Sequence, residues 1–352
     1  MKLSFFHNTQ MQTTMNFQCH TNLQPYNTFG IAATCDHFTI LEHPDQLSDI
    51  VRFLEHHPIP VLILGNGSNI LFVHDFKGLV ILNRIKGMEI VSETDNEIQI
   101  QAGAGENWRD FVSYCVSREW GGIENLADIP GTIGASAVQN IGAYNMEAGN
   151  TIINVTAYNL QTKEKQTFTN AECHFGYRFS IFKKPEYKHH IITHVTYRLN
   201  KTPLPVTSYK AIQTALSEKH ISAPAIDDMY YIVKELRKNK LPDETILHNA
   251  GSFFKNPVVS AQQVQKIQQN HPDMPLFPLP NGYIKLSAGW LIEQCGLKGY
   301  RKDDAGIHDK QALVIVNYGT ATGTQIMNIA RLAIQAVQKK FEIHIEPEVI
   351  VI

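Results

Sequence analysis

The chain has 352 residues, of which 43% are hydrophobic and 18% are charged, and its formal net charge is −2. This composition is typical of a globular protein of about two domains, and it lacks the global basic charge of proteins that bind nucleic acid or anionic membranes. The five cysteines are scattered without a C-x-x-C pair and no apolar run reaches about 18 residues, so we expect a cytoplasmic protein without a disulfide framework, metal site or membrane span.

The first hundred residues alternate helical and strand patterns. Residues 1–20 are polar and mixed, which predicts a disordered lead-in, or a start assigned at Met1 when Met11 or Met15 is the initiator. Apolar residues recur at helical spacing in 43–57. Strands are predicted at 59–64, 78–85 and 97–103. This order indicates an α/β or α+β arrangement.

A segment rich in glycine, 121–149, then interrupts the regular pattern and predicts a stretch that wraps a ligand rather than a long helix. Strand patterns resume at 152–160 and 189–199. Two prolines in 200–210 predict a domain boundary. Beyond it, we predict helices at 224–242, 260–270 and 320–341, and a closing alternating strand at 341–352.

The loop LGNGSNILF (64–72) follows a predicted buried strand and is a candidate anion site. Gly65 and Gly67 can leave backbone N–H groups uncovered, and Ser68 and Asn69 add side-chain hydrogen bonds. The loop lacks the third glycine and the lysine of the common nucleotide-binding motifs. A tight turn between strands fits this loop equally well.

A second loop, IPGTIGASAVQNIGAY (129–144), combines small residues with polar ones. Its small residues allow close approach of a ligand to the backbone, although a tightly packed core loop would use them too. Taken with the first loop, it favours a dinucleotide pyrophosphate held between the two. The small residues are Gly131, Gly134, Ala135 and Gly142, and the polar ones are Ser136, Gln139 and Asn140.

Three further side chains are candidates for chemistry. Arg178 lies among aromatic residues, which suits either a snorkelling surface residue or a desolvated clamp for a carboxylate. Glu346 and Glu348 of EPEV share one face of a predicted strand, with an exposed terminal strand as the alternative. Ser252 in NAGSFFKNP lacks the G-x-S-x-G frame of a hydrolase nucleophile, and an ordinary turn is its alternative.

Taken in chain order, these and further segments closely resemble the UDP-N-acetylenolpyruvoylglucosamine reductase family in its longer-loop (type I) form. The ordered set is far more specific than any single motif in it. The matching segments are NTFGI (27–31), VLILGNGSNILF (61–72), NRIKGMEI (83–90), AGAGENW (102–108), GIENLADIPGTIGASAVQNIGAY (122–144), FGYRFSIFK (175–183), NAGSFFKNPVVS (249–260), KLSAGWLIEQCGLKG (285–299) and EPEV (346–349).

The resemblance implies an α+β fold: a two-part FAD-binding module of the PCMH type, like that of vanillyl-alcohol oxidase, followed by an α/β substrate-binding domain. We expect the module at 21–202, with subdomains at about 21–88 and 89–202. The substrate-binding domain would span 203–342, and a C-terminal strand, 343–352, would carry Glu348.

The implied reaction reduces UDP-N-acetylglucosamine enolpyruvate to UDP-N-acetylmuramate for peptidoglycan. Non-covalent FAD would be the cofactor and NADPH the co-substrate, in a monomer without an obligate protein partner. By resemblance, Ser252 would donate a proton, and Arg178 and Glu348 would be active-site residues. An ionised Glu348 would oppose an enolate, so it could help only when protonated or when it orients a donor.

The resemblance also implies two sets of binding residues. The residues expected to contact FAD are Gly65, Asn66, Gly67, Ser68, Asn69, Pro130, Gly131, Thr132, Gly134, Ala135, Ser136, Gln139, Asn140, Gly142 and Tyr144. The residues expected to contact the UDP-sugar are Tyr209, which would cap the substrate, and Arg237, Lys240, Asn256 and Gln311.

Two positions depart from the family pattern: Phe179 stands where an acid is usual, and Ile350 where an arginine is usual. Two alternatives also stay open. One is an FAD-dependent alcohol or lactone oxidase with the same flavin-binding fold, although GNGSNI offers no His or Cys to tether the flavin. The other is a non-catalytic UDP-sugar binder, which would not need Ser252, Arg178 and Glu348 together.

Overall fold

The computed structural model describes residues 15–352 of the chain. Most of the predicted lead-in, together with Met1 and Met11, lies outside the described residues. The first strand begins at Gln18 and pairs with the next strand, so the prediction of a disordered lead-in is wrong for residues 18–20.

The first unit is a small sheet with one helix against it. Three of its strands run parallel in the order β2-β5-β3, and β1 is antiparallel at the edge. The predicted helix forms because Leu47, Ile50 and Val51 recur on one face and are buried under the sheet. The elements are β1 (Gln18–Asn22), β2 (Thr34–Leu41), α1 (Leu47–His56), β3 (Val61–Leu64), β4 (Ile70–Leu71) and β5 (Phe76–Asn83).

The second unit is a five-stranded antiparallel sheet with the order β11-β10-β12-β7-β6. Two helices pack with it around one hydrophobic core. Its elements are β6 (Met88–Glu93), β7 (Glu97–Gly103), α2 (Trp108–Val116), α3 (Ile133–Gln139), β8 (Gly142–Ala143), β9 (Met146–Glu147), β10 (Ile152–Asn159), β11 (Glu164–Thr169) and β12 (His190–Asn200).

The glycine-rich segment 121–149 contains α3, a short helix that the sequence analysis did not predict. Thr132 caps its first turn by accepting from the backbone N–H of Ala135 at 3.4 Å, and Asn140 ends it in a left-handed conformation with φ 46°. A β-carbon on Gly134 would lie 3.0 Å from that of Ala104. Glycine therefore serves close packing of the helix in this segment.

The remaining elements form two helices and then a mixed unit with two small sheets, ordered β13-β19-β18-β17 and β14-β16-β15. They are α4 (Lys210–Glu218), α5 (Ile226–Lys240), β13 (His248–Ser252), β14 (Val258–Val259), α6 (Ala261–Gln268), β15 (Leu276–Pro278), β16 (Ile284–Leu286), α7 (Ala288–Gln294), β17 (Arg301–Lys302), β18 (Ala305–Ile307), β19 (Val314–Asn317), α8 (Gly323–Phe341) and β20 (Ile350–Val351).

The hydrophobic cores do not divide at residue 203, where the sequence predicts a domain boundary. Ile212 of α4 and Met229 and Val233 of α5 are buried in the core of the second unit. The elements from β13 onward share a core with the first unit instead. The change from one core to the other therefore falls between α5 and β13, after the predicted boundary.

The prediction of a continuous terminal strand over 341–352 is wrong. The helix α8 extends to Phe341, and Glu342 ends it with φ 57°. Only β20 is a strand, and it pairs in parallel with β4 of the first unit. Between them, Pro347 makes an isolated bridge to Phe254. The C-terminal segment thus connects the mixed unit to the first unit.

Across residues 15–352, no helix combines the length and apolar character needed to cross a membrane. The same residues contain no group of three His, Cys, Asp or Glu side chains placed to hold a metal ion. All five cysteines are free, and burial raises the pKa of Cys35 to about 11.

We expect that Gly323, at the start of α8, cannot be replaced by a residue with a β-carbon without loss of stability. One placed on Gly323 would overlap the carbonyl oxygen of Phe72 in the first unit. We expect Gly323→Ala to lower the free energy of unfolding by about 1–3 kcal/mol, measured by urea denaturation. Gly319→Ala is the matched control, because its β-carbon would meet only the carboxylate of Asp304. Equal stability of the two variants would contradict this close packing.

Candidate active site

The two glycine loops lie against each other, between the first and second units. Asn66 donates from Nδ2 to the carbonyl oxygen of Gly131 at 3.1 Å, and Ser68 donates from Oγ to that of Pro130 at 3.2 Å. A β-carbon on Gly65 would lie 2.7 Å from Oγ1 of Thr132. The loops therefore form one composite surface, which neither could form alone.

This surface carries backbone N–H groups without protein partners. Within the described part of the chain, the N–H groups of residues 66–68, 131 and 132 donate to no protein acceptor. Gly67 and Gly131 have φ values of 62° and 138°, which favour glycine. Backbone N–H groups that lack protein acceptors can bind anions, so the two loops offer donors for a phosphate or pyrophosphate.

A cleft of about 420 Å³ adjoins the two loops. It lies where the three units meet, and its lining includes Thr28, Arg109 and His248. Arg109 pairs with Asp128 at 3.0 Å and with Glu244 at 2.8 Å. The cleft thus contains charged side chains beside apolar surface, and Arg178 is absent from its lining.

Arg178 and Glu348 form an ion pair, and Glu348 also accepts from Asn69 and Gln139 of the two loop segments. Arg178 Nε donates to Glu348 Oε1 at 2.7 Å, and Arg178 Nη2 donates to the carbonyl oxygen of Gly142 at 2.9 Å. Their side chains are 18% and 13% exposed. Arg178 is therefore not a snorkelling surface residue but a largely desolvated cation held in place.

The structure distinguishes the two glutamates of the EPEV segment, which the sequence pattern left equivalent. Glu346 is exposed and lies 3.5 Å from Lys255, whereas Glu348 meets Arg178 and also accepts from Gln139 Nε2 at 3.1 Å. The two carboxylates bind different cations, so they do not act as a carboxylate pair.

Ser252 is exposed at the end of β13, one residue before a backbone contact with the Glu348 segment. The carbonyl oxygen of Phe253 accepts from the backbone N–H of Glu348 at 2.7 Å. Phe253 and Phe254 are both buried and anchor the segment in the core. Ser252 is exposed, and within residues 15–352 its hydroxyl makes no hydrogen bond to the protein, which leaves it open to solvent.

Two further cations lie near this pair, and neither stood out in the sequence. Lys183 donates to Gln139 Oε1 at 2.8 Å, and Lys285 lies 4.9 Å from the ring centre of Tyr177. Burial lowers the pKa of both lysines, and the positive charge of Arg178 lowers it further. Lys183 and Tyr177 stand in the same sequence segment as Arg178, which was the signal available for them.

The residues predicted to contact the UDP-sugar do not all lie beside Arg178 and Glu348. The backbone N–H of Asn256 donates to the Tyr177 hydroxyl at 3.2 Å, close to Arg178. The ring of Tyr209 lies 5.1 Å from that of Tyr144, and Arg237 donates to the carbonyl oxygen of Asp128 at 3.2 Å. Among the described residues, no hydrogen bond joins Lys240 or Gln311 to Arg178 or Glu348.

The side chains of two residues predicted to contact FAD make hydrogen bonds within the protein. The hydroxyl of Ser136 lies 2.7 Å from that of Tyr197 in the core. The side chain of Asn140 donates to Glu147 at 2.8 Å and to the carbonyl oxygen of Gly176 at 2.9 Å. Both residues are 1% exposed. These side-chain groups already have protein partners, and the contact of the two residues with FAD stays a prediction.

Comparisons with known proteins give matches over most of the chain. Residues 36–164 match the model of an FAD binding domain, and residues 242–352 match the C-terminal domain of UDP-N-acetylenolpyruvoylglucosamine reductase. The reductase of that name from Chromobacterium violaceum is 44% identical over 96% of this chain and 100% of its own length. The one from Flavobacterium johnsoniae is 43% identical with the same coverage.

A solved structure supports the fold. The UDP-N-acetylenolpyruvylglucosamine reductase of Thermus caldophilus superposes with a TM-score of 0.68. The superposition covers 96% of this chain and 99% of that one, at 23% sequence identity.

Replacing Glu348 by its amide should destabilise the protein, because the guanidinium of Arg178 would lose its counter-ion in a largely buried place. We expect Glu348→Gln to lower the free energy of unfolding by about 1–3 kcal/mol. The matched control is Glu346→Gln, whose exposed pair should be worth at most about 0.5 kcal/mol. Urea denaturation at equal flavin content measures both, and equal losses would contradict the assignment of Glu348 as the buried partner.

Proposed function

Because this chain belongs to the UDP-N-acetylenolpyruvoylglucosamine reductase family, and is therefore an FAD-dependent oxidoreductase of peptidoglycan biosynthesis, we propose that it reduces UDP-N-acetylglucosamine enolpyruvate to UDP-N-acetylmuramate with NADPH as reductant. The observation that supports the proposal is the Arg178–Glu348 pair: Glu348 bonds through its backbone to Phe253, the residue after Ser252, and it accepts from Asn69 and Gln139 of the two loop segments.

The uncovered N–H groups of residues 66–68, 131 and 132 would hold the pyrophosphate of FAD. Residues of the 420 Å³ cleft, among them Thr28 and His248, would hold its adenosine end. Bound FAD supplies the chemistry of hydride transfer, from NADPH and then to the enolpyruvyl CH2 carbon. The residues of this chain bind, orient and protonate.

Arg178 would stabilise the negative charge that develops when hydride reaches the substrate. Within the described residues, its Nη1 has no hydrogen-bond acceptor, whereas Nε and Nη2 are already bound. That free end can therefore bind the substrate carboxylate as it takes on enolate character. Such a preorganised cation is most effective where water is largely excluded.

Ser252 would then protonate the carbon next to the carboxylate. A serine hydroxyl is a weak acid, so this role requires a strongly basic carbon and a fixed position. Ser252 directly precedes Phe253, and the backbone bond from Glu348 to Phe253 would help to hold the serine in place. No histidine needs to activate this serine, because it gives up a proton rather than attacking as a nucleophile.

The two glycine loops do not support the alternative of an FAD-dependent alcohol or lactone oxidase with a covalently linked flavin. Neither 64–72 nor 129–144 contains a histidine or cysteine to which a flavin could be linked. The non-catalytic binder is also disfavoured, because such a protein would not need Ser252, Arg178 and Glu348 together, and this chain has all three.

The reaction can be tested directly by reducing the purified flavoprotein with NADPH in the absence of oxygen and adding UDP-N-acetylglucosamine enolpyruvate. Flavin reoxidation that depends on this substrate, with UDP-N-acetylmuramate as product, is the expected result. A reduced flavin that reacts with oxygen but not with the substrate would overturn the proposal and favour an oxidase.

Removing the hydroxyl of Ser252 should separate the two half-reactions. We expect Ser252→Ala to slow substrate reduction by about 10²- to 10⁴-fold, while NADPH still reduces the flavin at close to the normal rate. Stopped-flow absorbance of the flavin measures both steps. Ser117→Ala, at the exposed end of α2, is the control. Equal slowing of both half-reactions would exclude a specific proton donor.

Pushing the two glycine loops apart should weaken FAD binding. A β-carbon on Gly65 would press on Thr132, as described above, so we expect Gly65→Ala to lower FAD affinity by at least about tenfold. Titration of apoprotein with FAD, followed by flavin fluorescence, measures the change. The Gly319→Ala control should bind FAD like the unmodified protein, and unchanged affinity in Gly65→Ala would refute the role of these loops.

A further inference from the structure

Lys183 stands behind the Arg178–Glu348 pair and binds two neutral oxygens. It ends the short 3-10 turn Ile181–Lys183. Its ammonium donates to Gln139 Oε1 at 2.8 Å and to the carbonyl oxygen of Arg178 at 3.1 Å. Burial lowers the pKa of Lys183, and Lys255 lowers it further while Glu348 raises it. A half-buried ammonium in this place orients its acceptors rather than pairing with a carboxylate.

The orientation matters because the amide of Gln139 has one accepting end and one donating end. An ammonium only donates, so Lys183 requires the Oε1 end of the amide. The Nε2 end then faces Glu348 and donates to Oε1 of that carboxylate at 3.1 Å. With the amide turned over, an oxygen would face the carboxylate and repel it.

The orientation of the Gln139 amide affects the ion pair between Glu348 and Arg178. Glu348 Oε1 accepts from Gln139 and from Arg178 at once, so the amide helps to fix the carboxylate against the guanidinium. Lys183 also binds the backbone at Arg178, whose φ is 54°. Both contacts hold the pair in one geometry.

We propose that Lys183 is a positioning residue of this site: by fixing the side-chain amide of Gln139, it holds the carboxylate of Glu348 where it meets Arg178. The inference rests on the proposed function, because the placement of Glu348 and Arg178 affects turnover only if the site reduces the enolpyruvyl substrate. A hydrogen bond to a charged group is worth about 10- to 100-fold in an equilibrium constant, which sets the size of the expected effect.

A mutant cycle tests whether Lys183 acts through Gln139. We expect Lys183→Met and Gln139→Leu each to lower kcat for substrate reduction by about 10- to 100-fold. The double variant should lose little more than the more damaged single variant, because both changes remove the same contact. Losses that multiply in the double variant would overturn the proposal.

Two further variants separate positioning from a general defect. Lys183→Arg keeps a cation that only donates, and we expect it to recover much of the lost kcat. Lys184→Met removes the adjacent, exposed lysine and should behave like the unmodified protein. FAD content and the rate of flavin reduction by NADPH should stay normal in Lys183→Met. A parallel fall of both half-reactions would show a structural role only and overturn the proposal.

A measurement without substrate tests the contact itself. The side-chain amide resonance of Gln139 can be assigned in a ¹⁵N–¹H spectrum by its disappearance in Gln139→Leu. We expect it to shift in Lys183→Met and not in Lys184→Met. Absent turnover of the unmodified protein would count against the proposed function. Normal turnover, with an unmoved Gln139 resonance in Lys183→Met, would count against the role of Lys183.

Discussion

The ion pair between Arg178 and Glu348 is the contact on which the proposed chemistry depends. Its partners stand 170 residues apart, so the pair forms only when the C-terminal segment closes over the second unit. Arg178 sits in a tight turn closed by backbone bonds between Gly176 and Phe179. Glu348 is fixed by its backbone bond to Phe253, and β20 fixes the end of the same segment on β4. The ion pair is thus held in place by three separate parts of the chain.

Local charge explains why a chain with a net charge of −2 can favour an anionic substrate. Arg178, Lys183 and Lys285 converge on the region around Tyr177 and Gln139. Burial lowers the pKa of Lys183 and of Lys285, and neighbouring positive charges lower it further, so a bound carboxylate or phosphate would favour the charged forms of both lysines. The net charge does not reveal this cluster, because acidic residues elsewhere in the chain balance its positive charges.

The structure shows what Phe179 and Ile350, the two departures from the family pattern, contact. Phe179 is 36% exposed at the surface, and its backbone, not its side chain, closes the turn that carries Arg178. Ile350 is exposed and pairs through its backbone with Ile70 and Asn69. Neither position requires a particular side chain for the contacts seen around Arg178 and Glu348.

The sequence by itself determined the strongly periodic elements, such as α1, α5 and α8, because their buried faces repeat at helical spacing. It also determined the ordered motifs from which the family and FAD were expected, and the positions of Ser252, Arg178 and Glu348 along the chain. It missed α3, because glycines that pack a helix closely on a neighbouring segment look the same in sequence as glycines of a loop.

Only the tertiary structure decided which glutamate of EPEV meets Arg178, and that α4 and α5 pack with the second unit. It alone placed Lys183 behind Gln139, and it used the side chains of Ser136 and Asn140 inside the protein. The physical reason is common to all of these. Each depends on contacts between residues far apart in the chain, whose distances and exposure arise only when the three units close on one another.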